Sequence, residues 1–132
     1  MGLSIDVYDH NFEQDVLEQS YKTPVIVDFF ATWCGPCQLL KPMLTKVAGE
    51  YDCVVAKVDI DTNTYLASTY GVEGVPDVRV FRNGEVVDKF VGVLPEPELK
   101  AFLAKCQIRS YLDQGLAAFD RAKSAGKLDI AE

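Results

Sequence analysis

Two cysteines lie close together in the sequence Trp-Cys-Gly-Pro-Cys at residues 33–37, and their position favours thiol chemistry. The motif follows an apolar, largely β-branched run at 25–30 and precedes a pattern typical of a helix. A thiol at the N-terminus of a helix meets unpaired backbone N–H groups and the positive end of the helix dipole, which favour the thiolate near neutral pH. We therefore predict that Cys34 is a nucleophile that attacks disulfide bonds.

The spacing of the motif gives its second thiol a role as well. With two intervening residues on the first helical turn, both sulfurs lie within bonding reach, so Cys37 can resolve the mixed disulfide that Cys34 forms. Gly35 keeps the turn slim enough for a protein substrate to approach. Pro36 suits an early helical position and stiffens the loop between the sulfurs. The motif predicts a two-electron couple of dithiol and disulfide.

Two other interpretations of the cysteine pair have less support. A zinc site needs two more Cys or His ligands at suitable spacing, and Cys53, Cys106 and His10 do not form a second pair. A purely structural disulfide would close so small a loop that it gains little entropy in the unfolded state. Cys53 precedes a predicted buried strand and Cys106 completes an apolar helix face, so we expect both thiols to be buried and unreactive.

Length, charge and cysteine content exclude several classes of protein. The chain of 132 residues is long enough for one domain with a hydrophobic core, and its net charge of −7 argues against binding to nucleic acid or anionic membranes. Its 4 cysteines do not resemble a secreted disulfide framework. The N-terminus lacks a signal-peptide pattern, and no segment approaches the length of a membrane span. We expect a soluble protein in the cytoplasm or an equivalent reducing compartment.

Apolar runs and helical stripes alternate along the chain and predict the elements that position the motif. Strands are predicted at 5–8, 25–30, 54–58, 78–81 and 86–91. Helical stripes follow residue 11 and cover 40–48, 66–70 and 99–106. Asn83-Gly84 between the last two strands is a signal for a tight type I′ hairpin, which makes those strands antiparallel. The order predicts an α/β fold with a mixed sheet and helices on both faces.

Polar residues and one proline are expected to shape these helices. Asn11 is predicted to cap the first helix, and Thr62 or Asn63 to cap the short helix after the third strand. Pro42 lies inside the 40–48 stripe and predicts a kinked helix.

Several separated motifs, in matching order, make the chain resemble the thioredoxin family over residues 1–107. They are the active-site pentapeptide at 33–37, the buried strand carboxylate Asp28, the nearby Lys57, the helix proline Pro42, the segment Val75-Pro76, the turn Asn83-Gly84, and Gly92. The resemblance implies a thioredoxin fold for residues 1–107, a central mixed β-sheet flanked by helices on both faces. Residues 108–132 are then a C-terminal extension with an additional helix.

The resemblance assigns a proton-transfer role to Asp28. In the family the equivalent aspartate removes the proton from the resolving thiol, here Cys37, and Lys57 tunes the carboxyl. Burial in an apolar run without a partner would by itself raise the pKa of Asp28 and tend to keep it neutral. The alternative is a buried aspartate that is satisfied by a hydrogen bond from Lys57 or from a hydroxyl.

The resemblance also implies a surface for protein substrates beside Cys34. A cis bond between Val75 and Pro76 would place the Val75 backbone where an extended substrate strand pairs with it, largely independently of the substrate's sequence. Trp33 abuts the nucleophile, which we expect to be exposed, and is predicted to offer an amphipathic contact rather than to fill the core. The predicted substrate-binding residues are Trp33, Gly35, Pro36, Val75, Pro76, Asp77 and Gly92.

Asp77 and Arg79 depart from the family pattern. Asp77 stands where a threonine usually follows the cis-proline, and it would place a carboxylate at the rim of the active site. Such an anion opposes thiolate formation and repels acidic partners, which predicts a less acidic nucleophile and a narrowed set of partners. The alternative is a local pair with Arg79, two residues on along the same strand face. Arg79 interrupts an apolar run, so either its face is less covered or a carboxylate meets it.

The C-terminal extension carries an apolar pattern of its own. Ile108, Leu112, Leu116 and Phe119 fall at helical spacing, which predicts one more helix that ends near Gly126. Its stripe could meet one of three kinds of surface. The first is the parent domain, the second is another molecule, either a second copy of the chain or another protein, and the third is the next helix of a repeat. Residues 125–132 are similar to the turn and the start of the second helix of a tetratricopeptide repeat, a unit that needs neighbours to bury its faces.

Together these observations predict a protein-disulfide reductase whose Cys34/Cys37 dithiol reduces target proteins. A thioredoxin reductase, linked to NADPH or to ferredoxin, would recycle the dithiol. The Gly-Pro dipeptide resembles that of reducing family members, which makes an oxidase or isomerase a weaker interpretation. No metal and no cofactor besides the redox-active disulfide is expected. The alternative function is a binding or co-chaperone module, in which the domain presents the helix at 108–126 to a partner.

Overall fold

A five-stranded mixed sheet forms the centre of the molecule, and the computed structural model describes residues 3–115. The strands are β1 (Leu3–Asp6), β2 (Val25–Phe30), β3 (Val54–Asp59), β4 (Asp77–Arg82) and β5 (Glu85–Val91). Their spatial order is β1-β3-β2-β4-β5; β1 and β2 run parallel to β3, while β4 is antiparallel to both β2 and β5. The middle strand is therefore β2, in which all residues but the last are buried.

Helices cover both faces of the sheet, as the sequence predicts. They are a π-helical segment (Glu13–Glu18) with a 3₁₀ turn (Gln19–Tyr21), α1 (Gly35–Glu50), α2 (Thr64–Thr69) and α3 (Glu96–Lys105). One core cluster packs α1 and α3 against the face that carries Ile26 and Val78. The other packs the π-helical segment and α2 against the face that carries Val27 and Phe29. The predicted α/β architecture is confirmed.

The helix α1 carries the predicted apolar stripe. Leu40, Leu44 and Val47 are buried against the sheet, and the helix continues through Pro42 to a length of 16 residues.

Within residues 3–115, no helix combines the length and the apolar character needed to span a membrane.

The N-terminal elements differ from their predictions. The first strand spans Leu3–Asp6 rather than 5–8, because it pairs with β3 from the first residue of that strand. The predicted cap at Asn11 is wrong. Its side chain accepts the Tyr8 N–H at 2.8 Å, and Phe12 precedes the helical segment without a side-chain cap bond. A local hydrogen bond to a turn competes with capping for such a side chain.

The helix α2 is capped from a distant part of the chain. Asn63 occupies its N-cap position, but the Asn63 side chain makes no cap bond. The Asp9 carboxylate accepts the Leu66 N–H at 3.1 Å instead, and Asn63 Oδ1 accepts the Asp9 N–H at 2.9 Å. The loop after β1 is thereby fixed to the helix after β3.

The predicted hairpin at Asn83-Gly84 is confirmed. Both residues have positive φ, 52° and 79°, as a type I′ turn requires. Ser20 Oγ accepts the Gly84 N–H at 2.8 Å, and a Cβ at Gly84 would lie 2.9 Å from the Tyr21 hydroxyl. Glycine at this position therefore serves both the backbone conformation and the close approach of Tyr21.

Residues 107–109, which follow α3, stay attached to the domain. Gln107, with a φ of 61°, follows the helix, and the Ile108 N–H donates to Leu103 O at 2.9 Å. Ile108 is buried in the same core cluster as α1 and α3. The Asp52 N–H donates to Arg109 O at 2.9 Å. Core packing and hydrogen bonds therefore cross the position between residues 107 and 108.

Part of the predicted C-terminal helix lies within the described residues. Residues 111–115 are helical, and Leu112 in this turn is 74% exposed. Of the predicted stripe, Ile108 therefore packs on the parent domain and Leu112 does not. Leu116, Phe119 and Gly126 lie outside the described residues.

Candidate active site

The two motif cysteines meet at the N-terminus of α1. They form a disulfide, with their Cα atoms 5.3 Å apart. Cys34 is the N-cap residue, and its Sγ accepts the Cys37 N–H at 3.2 Å. When the pair is reduced, this N–H and the helix dipole would stabilise a thiolate on Cys34. The cap position therefore distinguishes the two thiols.

Neither sulfur is widely exposed in the disulfide form. Cys34 is 4% exposed and Cys37 is 2% exposed, and both pack with Ala31 against Ile60 and Val75. The expectation of an exposed nucleophile is therefore wrong for this state, because the disulfide and its apolar neighbours cover Cys34.

A cis peptide bond joins Val75 and Pro76, as the family resemblance implies. It lies beside the disulfide, since Cys34 Sγ is 3.6 Å from Val75 O. Gly92 follows β5 and reaches the same place, because its N–H donates to Pro76 O at 2.8 Å. Its φ of 94° is a conformation that favours glycine. The structure thus brings three of the predicted substrate-binding residues together next to Cys34.

Trp33 forms an exposed aromatic surface at the edge of the disulfide. It is 71% exposed, and its indole N–H donates to Asp61 Oδ2 at 2.9 Å. Gly35 leaves open space, since a Cβ there would meet no atom within 4 Å, and Pro36 lies in the first turn of α1. The sequence analysis missed Asp61. Its signal was available, because Asp61 follows β3, whose carboxyl end lies beside that of the parallel strand β2.

Asp28 is buried in the central strand with an unsatisfied carboxyl oxygen. It is 4% exposed, and its Oδ1 has no hydrogen-bond partner within the described part of the chain. Burial raises the pKa of Asp28 from its ordinary value of 3.8 to about 7, while the Lys57 charge lowers it and the Asp77 charge raises it. The alternative of a carboxyl satisfied by hydrogen bonds is therefore not supported at Oδ1. Asp28 can take up or release a proton near neutral pH.

Asp28 and Cys37 line one cleft, which has a volume of about 340 Å³. The other residues that line it are Asp6, Phe30, Thr32, Gln38, Lys41 and Lys57. The cleft therefore brings a buried proton acceptor and the second thiol of the motif to the same side of α1.

Lys57 lies between two carboxylates and contacts the outer one. The register of the sheet places it opposite Asp28 on β2 and opposite Asp6 on β1. Its Nζ is 3.6 Å from Asp6 Oδ1. The sequence analysis missed Asp6, because only the pairing of β1 with β3 brings Asp6 and Lys57 side by side.

Asp77 pairs with Arg79 inside the protein. The guanidinium Nε and Nη2 donate to the two carboxylate oxygens at 3.0 Å each. Both residues are buried, and the guanidinium lies over the rings of Phe29 and Tyr70, 5.6 and 5.8 Å from their centroids. The structure therefore favours the local pair over a carboxylate at the rim. The carboxylate that meets Arg79 is Asp77 itself.

The other two cysteines are free thiols in the core, as predicted. Burial raises the pKa of Cys53 to about 12 and also raises that of Cys106. High pKa values disfavour the thiolates that react with disulfides. In the part of the chain that the structure describes, no group of three or more His, Cys, Asp and Glu side chains is arranged to hold a metal ion.

Comparison with known proteins agrees with this geometry. The sequence model of the thioredoxin family matches residues 4–105. The chain belongs to the thioredoxin family. Mitochondrial thioredoxin from Bos taurus is 55% identical over 86 residues, which are 64% of this chain and 52% of that protein. Thioredoxin 1 from Nostoc sp. is 38% identical over 107 residues, 80% of this chain and 98% of that protein.

Solved thioredoxin structures share the fold. A point mutant of thioredoxin from Halobacterium salinarum superposes with a TM-score of 0.70 at 40% identity, over 77% of this chain and 88% of that one. Reduced Schistosoma mansoni thioredoxin pre-protein gives 0.71 at 34% identity, over 77% of this chain and 96% of that one. The sheet and helices are therefore a thioredoxin fold, and Cys34–Cys37 is the thioredoxin CxxC pair. The chain spans about half the length of the mitochondrial relatives it matches.

Proposed function

We propose that this thioredoxin is a protein-disulfide reductase that works through the Cys34–Cys37 dithiol. The observation that carries the proposal is the joint placement of the disulfide and the Asp28 carboxyl. The disulfide lies at the N-terminus of α1, and the buried carboxyl shares a cleft with Cys37. A nucleophile, a resolving thiol and a proton acceptor are thus within one small site.

In the first step, the Cys34 thiolate attacks one sulfur of a target disulfide. A bond forms between Cys34 Sγ and that sulfur as the S–S bond of the target breaks, and the other target sulfur leaves as a thiolate that takes a proton from solvent. The Cys37 N–H donates to Cys34 Sγ and would stabilise a thiolate there, which supports the assignment of Cys34 Sγ as the attacking atom.

In the second step, Asp28 accepts the proton of the Cys37 thiol, directly or through water. The Cys37 thiolate attacks Cys34 Sγ, the bond to the target breaks, and the target leaves with its second reduced sulfur. Two electrons have then passed from the dithiol to the target, and the Cys34–Cys37 disulfide is the product. A pKa of about 7 suits this role of Asp28, because a base works best near the operating pH, and Lys57 tunes it from the same cleft.

Target proteins are proposed to bind as extended segments along the Val75 backbone. Val75 is half-buried and lies next to the attacking sulfur, so a strand paired with it would present its disulfide there. Trp33 offers the exposed aromatic contact, and the open space at Gly35 leaves room for the target. The proposed contact residues are Trp33, Gly35, Pro36, Val75, Pro76 and Gly92.

The proposed electron donor is a thioredoxin reductase, linked to NADPH or to ferredoxin, whose own dithiol reduces the Cys34–Cys37 disulfide. Such a cycle requires a reducing compartment, the cytoplasm or an equivalent one, because an oxidising compartment would hold the pair as a disulfide. Curated relatives include thioredoxins named as mitochondrial.

Insulin reduction by the purified chain, with dithiothreitol as electron donor, tests the proposal. We expect the wild type to accelerate precipitation of the insulin B chain and Cys34→Ser to abolish the acceleration. In a separate incubation without dithiothreitol, the reduced Cys37→Ser variant should attack insulin but not resolve the new bond, and mass spectrometry should detect the mixed disulfide that accumulates. Cys53→Ser is the matched control and should keep full activity. Activity that persists in Cys34→Ser would overturn the assignment.

The reduction potential of the pair tests the direction of the reaction. Reducing thioredoxins have potentials of about −270 mV, whereas strong oxidases have potentials of about −120 mV. Equilibration with glutathione mixtures of defined ratio gives the value for this chain. A potential near the oxidase value would contradict the reductase proposal even if the thiols react with insulin.

A second candidate function concerns the C-terminal extension. We propose residues 1–107 as the thioredoxin domain and 108–132 as an extension that engages a partner or a second copy of the chain. Leu112 favours this function, since a large apolar side chain that is 74% exposed is available for contact. Sedimentation equilibrium of the full chain and of Leu112→Ser tests self-association. A monomeric wild type would contradict self-association. Unchanged insulin reduction by Leu112→Ser would show that the extension takes no part in the redox reaction.

A further inference from the structure

Three charged residues lie side by side across three neighbouring strands at the cleft. β1, β3 and β2 are adjacent in that order, and their register aligns Asp6 with Lys57 and Lys57 with Asp28. All three line the cleft that also contains Cys37. Lys57 is therefore placed between an inner and an outer carboxyl.

Lys57 is paired with the outer carboxyl. Its Nζ is 3.6 Å from Asp6 Oδ1, whereas Oδ1 of Asp28 has no hydrogen-bond partner within residues 3–115. The side chain of Asp6 is 62% exposed and that of Lys57 is 26% exposed, so this pair lies at the mouth of the cleft and Asp28 lies at its buried end.

We propose that Asp6 is a positioning residue of the active site, whose carboxylate holds the Lys57 ammonium at the mouth of the cleft and so keeps it from pairing with Asp28. The inference rests on the proposed reductase function and extends it to a residue on β1. A direct ion pair with Lys57 would stabilise the charged form of Asp28 and weaken it as a base. Asp6 therefore preserves the proton affinity that Asp28 needs near neutral pH.

Charged groups other than Asp6 and Lys57 also lie near Asp28. Lys41 on α1 lines the same cleft, and the charge of Asp77 on β4 raises the pKa of Asp28. In the disulfide form Cys37 does not titrate. A titration of the oxidised protein therefore reports on Asp28 without interference from the thiols.

Carbon-13 NMR of the Asp28 carboxyl in the full oxidised chain tests the proposal. In Asp6→Asn the ammonium is released towards Asp28, and we expect the midpoint of the Asp28 titration to fall by on the order of 0.5 pH unit. The same substitution in a Lys57→Met background should leave the midpoint unchanged, because the residue that transmits the effect is gone. The pH profile of insulin reduction by Asp6→Asn should shift to lower pH by the same amount.

Asp88→Asn is the matched control, since Asp88 forms a similar Asp–Lys pair with Lys105 at 3.1 Å. It should leave the Asp28 midpoint unchanged. An unchanged or raised midpoint in Asp6→Asn would overturn the proposal. An equal fall in the Lys57→Met background would also overturn it, because Asp6 would then act through its own charge. The NMR midpoint does not depend on activity, so a wild type inactive towards insulin would refute the reductase function alone.

Discussion

Asp28 and Asp77 are buried carboxyls on neighbouring strands, and they differ in what they contact. Asp28 on β2 has an oxygen with no hydrogen-bond partner in the described part of the chain, whereas Asp77 on β4 receives two hydrogen bonds from Arg79. They lie on opposite faces of the sheet, because Asp28 is paired with Val78 on the α1–α3 side and Asp77 with Phe29 on the α2 side.

The difference shows that one sheet uses buried charge in two ways. A buried carboxyl without a cation in contact can take up a proton near neutral pH, because burial penalises its charged form. A carboxylate bound by a guanidinium is balanced by the opposite charge and fills an apolar face as one unit with its partner. In the proposed function the first arrangement serves proton transfer, and the second serves packing.

Breaking the Asp77–Arg79 pair should have the largest effect on stability. Arg79→Leu leaves the Asp77 carboxylate buried without a cation, and we expect the free energy of unfolding to fall by about 4 kcal/mol. Urea denaturation at neutral pH, followed by circular dichroism, measures the change. A loss below about 1 kcal/mol would show that the pair is not what balances Asp77.

The double variant Asp77→Thr/Arg79→Leu is the control for that experiment. It removes both charges and fills the site with neutral groups, so most of the lost stability should return. If the double variant is as unstable as Arg79→Leu, the shape of the arginine side chain rather than its charge stabilises this face.

Substitution of Asp28 should raise the free energy of unfolding rather than lower it. Between pH of about 4 and 7 the folded carboxyl keeps a proton that the unfolded chain has lost, so stability falls as pH rises through this window. Asp28→Asn cannot ionise and escapes this loss. At about pH 8 we expect its free energy of unfolding to exceed that of the wild type by up to about 4 kcal/mol, because each pH unit of the shift from 3.8 to about 7 corresponds to about 1.4 kcal/mol. Urea denaturation at a series of pH values measures the difference.

The same series contains the control for Asp28→Asn. Near pH of about 4 the wild-type carboxyl is protonated in the folded protein and close to half protonated in the unfolded one, so most of the gain should disappear. A gain that is equal at both ends of the pH range would show that packing of the amide, and not ionisation, causes it.

The smallest expected effect is the influence of the Asp77 charge on the pKa of Asp28 across the sheet. The Asp77 charge raises the pKa of Asp28, so Asp77→Asn, which removes this charge and keeps the Arg79 cation, should lower the midpoint of the Asp28 titration by about 0.5 pH unit. Carbon-13 NMR of the oxidised variant measures it. An unchanged midpoint would mean that the two faces are electrostatically independent.

Features that depend on neighbours in the chain could be predicted from the sequence. β2 spans Val25–Phe30, the bounds of its apolar run, and Asn83-Gly84 forms the predicted turn. Cys34 lies at the helix N-cap, where the strand-to-helix junction placed it. In each case the deciding interactions are between residues close together in the sequence, so the local sequence pattern predicts them.

Contacts between distant segments could not be predicted in the same way. The cap of α2 comes from Asp9, although Asn63 has the residue type and the position of a cap. Asp6 pairs with Lys57 because β1 lies beside β3 in the sheet. Sequence spacing holds no information on these partners, since strand order alone brings them together.

The sequence by itself determined the candidate residues for the chemistry: the Cys34–Cys37 pair at a helix N-terminus and a carboxyl, Asp28, within an apolar strand. Only the tertiary structure decided which charge each carboxyl meets, with Asp77 bound to Arg79 and Asp28 Oδ1 without a cation among residues 3–115. The physical reason is that helix ends and turns depend on adjacent residues, whereas charge interactions and desolvation depend on distance and burial across the sheet.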